Sequence, residues 1–267
     1  MPQKLTEGSI SRSLIRFSLP FLVSNFIQIL YGLVDLYIIG RYCNSAVITA
    51  VSVGSQVMHL VTVVITSLLM GTTVMISHGI GANDSQKIKK NIGNSTTFFT
   101  IFSVALCIVM LLFNNTLLKL LSVPEESLKE AKIYLVICFL GIPFITMCNL
   151  LSAILRGLGD SKTPMYFVAI ACIVNIVLDF LFIGILKLSA MGAALGTVIA
   201  QSISVFLGLL IIRRKKLNLN LSKSDFFLEP FTLKKNFSVG IPIAFQDGIV
   251  QISFIIITKI ANGRGIE

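Results

Sequence analysis

Seven stretches of this chain are apolar and almost free of charge: residues 14–39, 47–76, 92–118, 133–155, 165–186, 191–212 and 237–257. Runs of about 20 or more mostly apolar residues read as transmembrane helices. Each stretch exceeds what a helix rising roughly 1.5 Å per residue needs to cross about 30 Å of hydrocarbon. The pattern predicts an all-α integral membrane protein, a six-helix transmembrane bundle plus a seventh helix. It divides the chain into a polar arm (1–13), a six-helix lobe (14–212), a basic loop (213–236) and a final helical segment (237–267).

Composition agrees with the pattern. The chain is 55% hydrophobic and 13% charged, with a mean hydropathy of +0.89. An ordinary soluble domain carries about twice that charge fraction. A soluble protein of 267 residues has no core large enough to hide this much apolar surface. The N-terminal arm lacks the short apolar core and small-residue cleavage site of a signal peptide. The five cysteines, Cys43, Cys107, Cys138, Cys148 and Cys172, show no metal or redox spacing, and four of them fall inside spans. They read as small apolar residues of membrane helices.

The net charge of +10 would suit a nucleic-acid partner if it lay on one soluble face. It lies in loops instead, so no nucleic-acid partner is expected. With seven spans, alternate loops share a side. Fifteen Lys and Arg fall on the side of the N-terminus and of the 213–236 loop, seven on the other. The positive-inside rule then puts the N-terminus in the cytoplasm, with the bundle in a bacterial-type plasma membrane.

Against this apolar background, two carboxylates stand out. Asp179 lies in NIVLDFLF with Asn175 one turn before it. A charge near a helix centre costs roughly 2.5–3.5 kcal/mol on insertion scales, so such residues usually face a bundle interior or a wet cavity. The bland alternative is a protonated Asp bonded to a neighbouring helix. Asp35 in the first span argues against it, because Asn25, Gln28, Gly32 and Asp35 have the spacing of one polar or small helical face. Asp35 lies roughly 9 Å below the boundary marked by Arg41, and Asp179 roughly 12 Å and Thr197 roughly 15 Å below that marked by Lys187. Gly192 and Gly196 permit close helix approach beside Thr197. Two carboxylates, a carboxamide oxygen and a hydroxyl suit a proton or a hard cation such as Na⁺, and offer nothing to zinc or copper.

The motifs resemble a known family. LRGLGDSKTP at 155–164, NIVLDFLFI from Asn175, GAALGTVIAQ from Gly192, SLPFLVSNFIQILYGLVDLYIIG from Ser18 and SHGIGANDSQK from Ser77 occur in the order found in multidrug and toxic compound extrusion (MATE) transporters. The resemblance covers nearly the whole chain. It implies two six-helix lobes around a central cavity, with this chain as the N-lobe of a twelve-helix MATE-type transporter. It implies a secondary-active antiporter, coupled to H⁺ or Na⁺, that exports amphipathic cationic drugs or toxic organic compounds. No cofactor is expected beyond that coupling ion. The matching positions Asp35, Asn175, Asp179 and Thr197 would form the cation site, and Pro20 would mark a bend in the first helix. Asn25, Gln28, Tyr134 and Asp247 are the candidates for lining the substrate cavity. Tyr134 also reads as an interfacial anchor and Asp247 as a helix–helix contact.

A complete family member has twelve helices, whereas this sequence stops after the seventh. The expected partners are therefore small organic cations, the lipid bilayer and the missing C-terminal lobe. Residues 1–267 alone are expected to insert without conferring efflux, since rocking needs two lobes. FSLPFLVSN at Phe17 and SVGIPIAFQD at Ser238 place a proline at matching depth in two repeats. Some family branches carry a Glu eight residues beyond the second proline, where this chain has Val250. His59, near Gln56 and Thr62, reads as a hydrogen-bonded bundle residue or a proton relay. GLGD at 157–160 reads as a tight turn.

Three other classes compete. A lipid-linked oligosaccharide flippase of related architecture should line its cavity with Arg, whereas these spans carry carboxylates and almost no internal Lys or Arg. An intramembrane protease needs flanking motifs absent around Asp35 and Asp179, so no enzyme is expected. A non-transporting half-transporter scaffold fits the chain length.

Overall fold

The computed structural model describes residues 10–214 and 221–263, and among them no strand forms. Among the described residues the α-helices are α1 (Ile10–Tyr42), α2 (Ser45–Gly81), α3 (Ser85–Leu120), α4 (Glu125–Leu140), α5 (Ile142–Gly157), α6 (Lys162–Asp179), α7 (Ser189–Arg214) and α8 (Pro230–Gly263). A π turn over Phe180–Ile185 extends α6, and a 3-10 turn over Lys223–Phe226 precedes α8.

Polar side chains at the helix starts set the boundaries. Asn44 accepts from Val47 N (3.1 Å) at the head of α2, and Asp84 from Lys87 N (3.1 Å) at the head of α3. Asp160 accepts from both Thr163 N (3.0 Å) and Thr163 Oγ1 (2.6 Å) at the head of α6. The GLGD turn before it contains Gly159 at φ 84°, a left-handed value that glycine tolerates without strain.

One expected span is broken. Residues 133–155 read as a single helix, but α4 and α5 meet at Gly141 with a bend of 48°. Pro143 cannot donate its backbone N–H to the preceding turn. The bend seats Gly141 against Val198 of α7, where a side-chain carbon would come within 3.2 Å of one methyl and closer to the other. Counting the bent pair as one crossing gives up to seven helices long and apolar enough to span a membrane, against six without it.

Helix α2 is the axis of the bundle and packs on α8, α5, α4 and α3. Its Ile65, Leu69 and Ile76 are fully buried with Leu135 and Phe139 of α4 and Leu150 of α5. The outward surface is as apolar as the core: Leu22, Phe26, Leu33, Leu112 and Ile173 are all well exposed. In hydrocarbon that exposure costs nothing, so close packing and internal hydrogen bonds hold the helices together. Helix α1 packs mainly on α6 and touches α2 and α7 only lightly.

Candidate cation site

Three helices build the site. Helix α1 carries Asp35, α6 ends on Asp179 with Asn175 one turn earlier, and α7 brings Gly196 alongside. Asp179 is wholly buried and Asn175 nearly so. Asp35 is half-buried as a residue, but its Oδ1 is closed off from solvent.

The two carboxyl groups lie within hydrogen-bonding reach of each other, with the Asn175 amide beside Asp179. Ionised carboxylates only accept, so facing one another leaves both short of a donor. Among the described residues no well-formed hydrogen bond reaches Asp35 Oδ1, either oxygen of Asp179, or the amide atoms of Asn175. Buried polar groups are otherwise almost always paired. A proton shared by the two carboxyls, or a small hard cation between them, would satisfy these oxygens. Among the described residues no group of three His, Cys, Asp or Glu side chains is placed to hold a metal ion, so a thiolate- or imidazole-bound metal has no site there.

Gly196 makes the approach possible. A side-chain carbon built on it would overlap Asp179 Oδ1 and sit 3.4 Å from Asn175 Nδ2. Gly192, one turn before, lies against Phe182 and Ile183 of the π turn. That turn begins at the residue after Asp179 and widens the helix, a distortion often found at functional sites. Its Phe180 meets Tyr42 of α1 edge-on, with ring centroids 6.2 Å apart, so the turn ties α1 to α6 just beyond the carboxyl pair.

The other predicted residues fall in varied places. Thr197 is half-buried beside Gly196, and among the described residues no hydrogen bond joins it to either carboxylate. Asn25 and Gln28 are exposed. The inward face of α1 runs instead through Ser24, Tyr31, Asp35 and Ile38, shifted from the predicted stripe. Tyr134 is buried, its ring over Gly54 and its hydroxyl 3.0 Å from Ser55 Oγ, near both Asp35 and Tyr31. Pro20 lies within an unbroken α1, and its carbonyl accepts from Ser24 Oγ (2.8 Å). Asp247 accepts from Ser67 Oγ (2.7 Å), and His59 Nδ1 lies 3.1 Å from Gln251 Oε1.

Sequence reasoning missed Tyr31. It lies close to Asp35, Asp179, Cys138 and Cys172, one helical turn before Asp35. That four-residue spacing was the available signal. A separate cavity of about 280 Å³, lined by Lys90, Asn94, Ser224, Phe227, Leu228, Glu229 and Pro230, lies at the basic end of the bundle, away from the carboxyl pair.

The described residues thus form an all-helical bundle, apolar on its flanks, with a buried carboxyl pair between α1 and α6. The chain belongs to the MATE family of transporters: the family profile described as MatE matches residues 20–181. The chain is 30% identical over 261 residues to the "Probable multidrug resistance protein YpnP" of Bacillus subtilis, covering 97% of this chain and 58% of that protein. It is 27% identical over 238 residues to the "Multidrug export protein MepA" of Staphylococcus haemolyticus, covering 88% and 52%. The solved outward-facing conformation of a multidrug resistance MATE family transporter of the MOP superfamily superposes with a TM-score of 0.83 at 25% identity, over 92% of this chain and 54% of that one. The chain thus spans little more than half the length of the relatives it matches.

Proposed function

We propose that this chain forms the cation-coupled lobe of a drug exporter, a secondary-active antiporter that takes up H⁺ or Na⁺ and expels amphipathic organic cations. The observation that carries the reading is the facing pair Asp35 and Asp179, on separate helices, with buried oxygens that lack donors. The names of the relatives, multidrug resistance and multidrug export, support the substrate class. Two ionised carboxylates this close repel, and one bound cation removes the repulsion. Filling or emptying the pair therefore changes how tightly α1 sits against α6. Helix α1 is lightly held elsewhere, and Pro20 interrupts its hydrogen-bond ladder, so it is the element best able to respond. A membrane potential adds about 2.3 kcal/mol per charge per 100 mV to uptake of the coupling ion. In this reading Thr197 completes the oxygen set, Asn25, Gln28, Tyr134 and Asp247 line the drug path, and the basic end of the bundle faces the cytoplasm.

The test is efflux of a fluorescent organic cation from vesicles containing the full-length protein, under an imposed pH or Na⁺ gradient. Efflux that follows one gradient and stops when it is collapsed supports the reading. Efflux indifferent to both gradients, or none at all, overturns it.

A further inference from the structure

Asp35 and Tyr42 stand seven residues apart in α1, two helical turns along one face. On the facing helix, Asp179 is followed at once by Phe180, the first residue of the π turn. Outward from the carboxyl pair, both helices therefore run into the contact between the Tyr42 and Phe180 rings. Between Asp35 and Tyr42 lie Ile38 and Ile39, both buried, so this stretch of α1 is packed along its length.

The π turn is seated on α7. A side-chain carbon on Gly192 would come within 3.0 Å of Phe182 and 3.2 Å of Ile183, and Ile183 is buried. One helical turn further along α7, Gly196 abuts Asp179. Asp179 and the turn that follows it are thus backed by α7 and have little room to retreat. On its other side the turn carries Tyr42. The Tyr42 ring meets Phe180 edge-on, with centroids 6.2 Å apart. Its Cζ and Cε2 lie 3.6 and 3.7 Å from where a side-chain carbon on Gly184 would stand. A methyl there would just touch the ring, and a longer side chain would collide with it. Gly184 and Phe180 together form the seat on which the outer end of α1 rests.

We propose that Tyr42 is a positioning residue for the carboxyl pair: its ring, seated on Phe180 and Gly184, holds Asp35 at proton-sharing distance from Asp179 and so makes the pair select H⁺ over Na⁺. The inference rests on the cation-coupled reading above and deepens it by naming the ion. Carboxyl groups in direct hydrogen-bonding reach suit a proton between them. A metal ion needs a bond to each oxygen, about 2.3–2.6 Å long for Ca²⁺, an ion close to Na⁺ in size, and two such bonds set the oxygens further apart than one proton does. Among the described residues the other titratable groups close to the pair are Tyr31 of α1, Tyr134 and Cys138 of α4 and Cys172 of α6. None of these supplies a positive charge, so neutralising the pair falls to the bound ion. In hydrocarbon no hydrophobic effect draws α1 onto α6, and side-chain packing sets their spacing. Helix α1 touches α2 and α7 only lightly, so its contacts with α6 and the π turn decide where Asp35 stands.

The test uses the full-length protein in vesicles. Efflux of a fluorescent organic cation is driven by a pH gradient alone and, separately, by a Na⁺ gradient alone. The parent protein should respond chiefly to the pH gradient. Tyr42→Ala removes the ring and should lower the ratio of proton-driven to Na⁺-driven efflux roughly tenfold or more, since misplacing a functional group by about 1 Å can cost about a hundredfold. Tyr42→Phe keeps the ring and should keep the parent ratio. Gly184→Ala fits beside the ring and should keep it too, whereas Gly184→Leu displaces the ring and should lower the ratio as Tyr42→Ala does. If Tyr42→Ala fails to insert, the contrast between Gly184→Ala and Gly184→Leu decides. A general loosening of the fold would depress both modes alike, and that result overturns the proposal. So do an unchanged ratio in Tyr42→Ala, a lowered ratio in Tyr42→Phe, or a parent protein driven by Na⁺ alone. Parent efflux indifferent to both gradients overturns the cation-coupled reading itself, and the role of Tyr42 falls with it.

Discussion

Gly196 of α7 lies so close to Asp179 of α6 that any side chain on it would overlap the carboxylate oxygen. The buried carboxyl pair is held in place from behind by a residue that contributes no atoms to it. Gly196→Ala should push Asp179 toward α1 or part α6 from α7. Overpacking of this kind costs about 1–3 kcal/mol. The expected outcome is a lower unfolding temperature in detergent and loss of most efflux. A variant with full stability and full efflux would show that the space behind Asp179 is not limiting.

Asp35→Asn and Asp179→Asn test the pair itself. Asn keeps the shape of Asp but removes the charge, so insertion and folding should survive. Coupled efflux should be abolished by either substitution, because each leaves a single carboxylate where two together hold one cation and no repulsion remains for it to relieve. Ordinary drug resistance from either variant in the full-length protein would sink the assignment of the pair as the coupling site.

The legibility of these residues in the sequence follows from cost. A carboxylate in an apolar run is expensive, so Asp35 and Asp179 were conspicuous, and helical spacing carried Asn175 with Asp179. Tyr31 was not, since a Tyr in a span reads equally well as packing or as an interfacial anchor. The Asn25–Gln28 stripe failed to coincide with the inward face of α1 because that face is set by contact with α6, which spacing within α1 does not reveal. The break at Gly141 was signalled by the Gly-Ile-Pro sequence there, yet the apolar run on both sides hid it. The π turn left no trace, since widening a helix changes its hydrogen bonds and not its hydropathy.

The loop between α2 and α3 offers a pH test outside the membrane. Lys87 N donates to the Asp84 carboxylate, and the Lys87 ammonium lies 3.3 Å away, so Asp84 is held below the ordinary carboxylate range. Its cap therefore helps α3 only while ionised. The contribution is complete above the ordinary value of about 3.9 and fades as pH falls through the lowered folded value. Asp84→Ala should melt below the parent protein at neutral pH, and the two melting curves should converge in strong acid. A gap that persists unchanged in acid would mean that the loss comes from packing and not from the ionised cap.

Topology gives the last test. The basic residues gather at the end of the bundle that holds the head of α3 and the strap before α8, while Glu126 at the head of α4 lies at the other end. Cationic loops are retained on the cytoplasmic side during insertion, so the basic end should face inward. Ser224 and Glu126 are both exposed, which makes each a fair reporter. In intact cells a membrane-impermeant thiol reagent should label Glu126→Cys and spare Ser224→Cys. Permeabilising the cells should expose Ser224→Cys as well, showing that its protection came from the bilayer and not from local burial. Labelling of Ser224→Cys alone in intact cells would invert the orientation, and with it the direction in which the carboxyl pair takes up its cation.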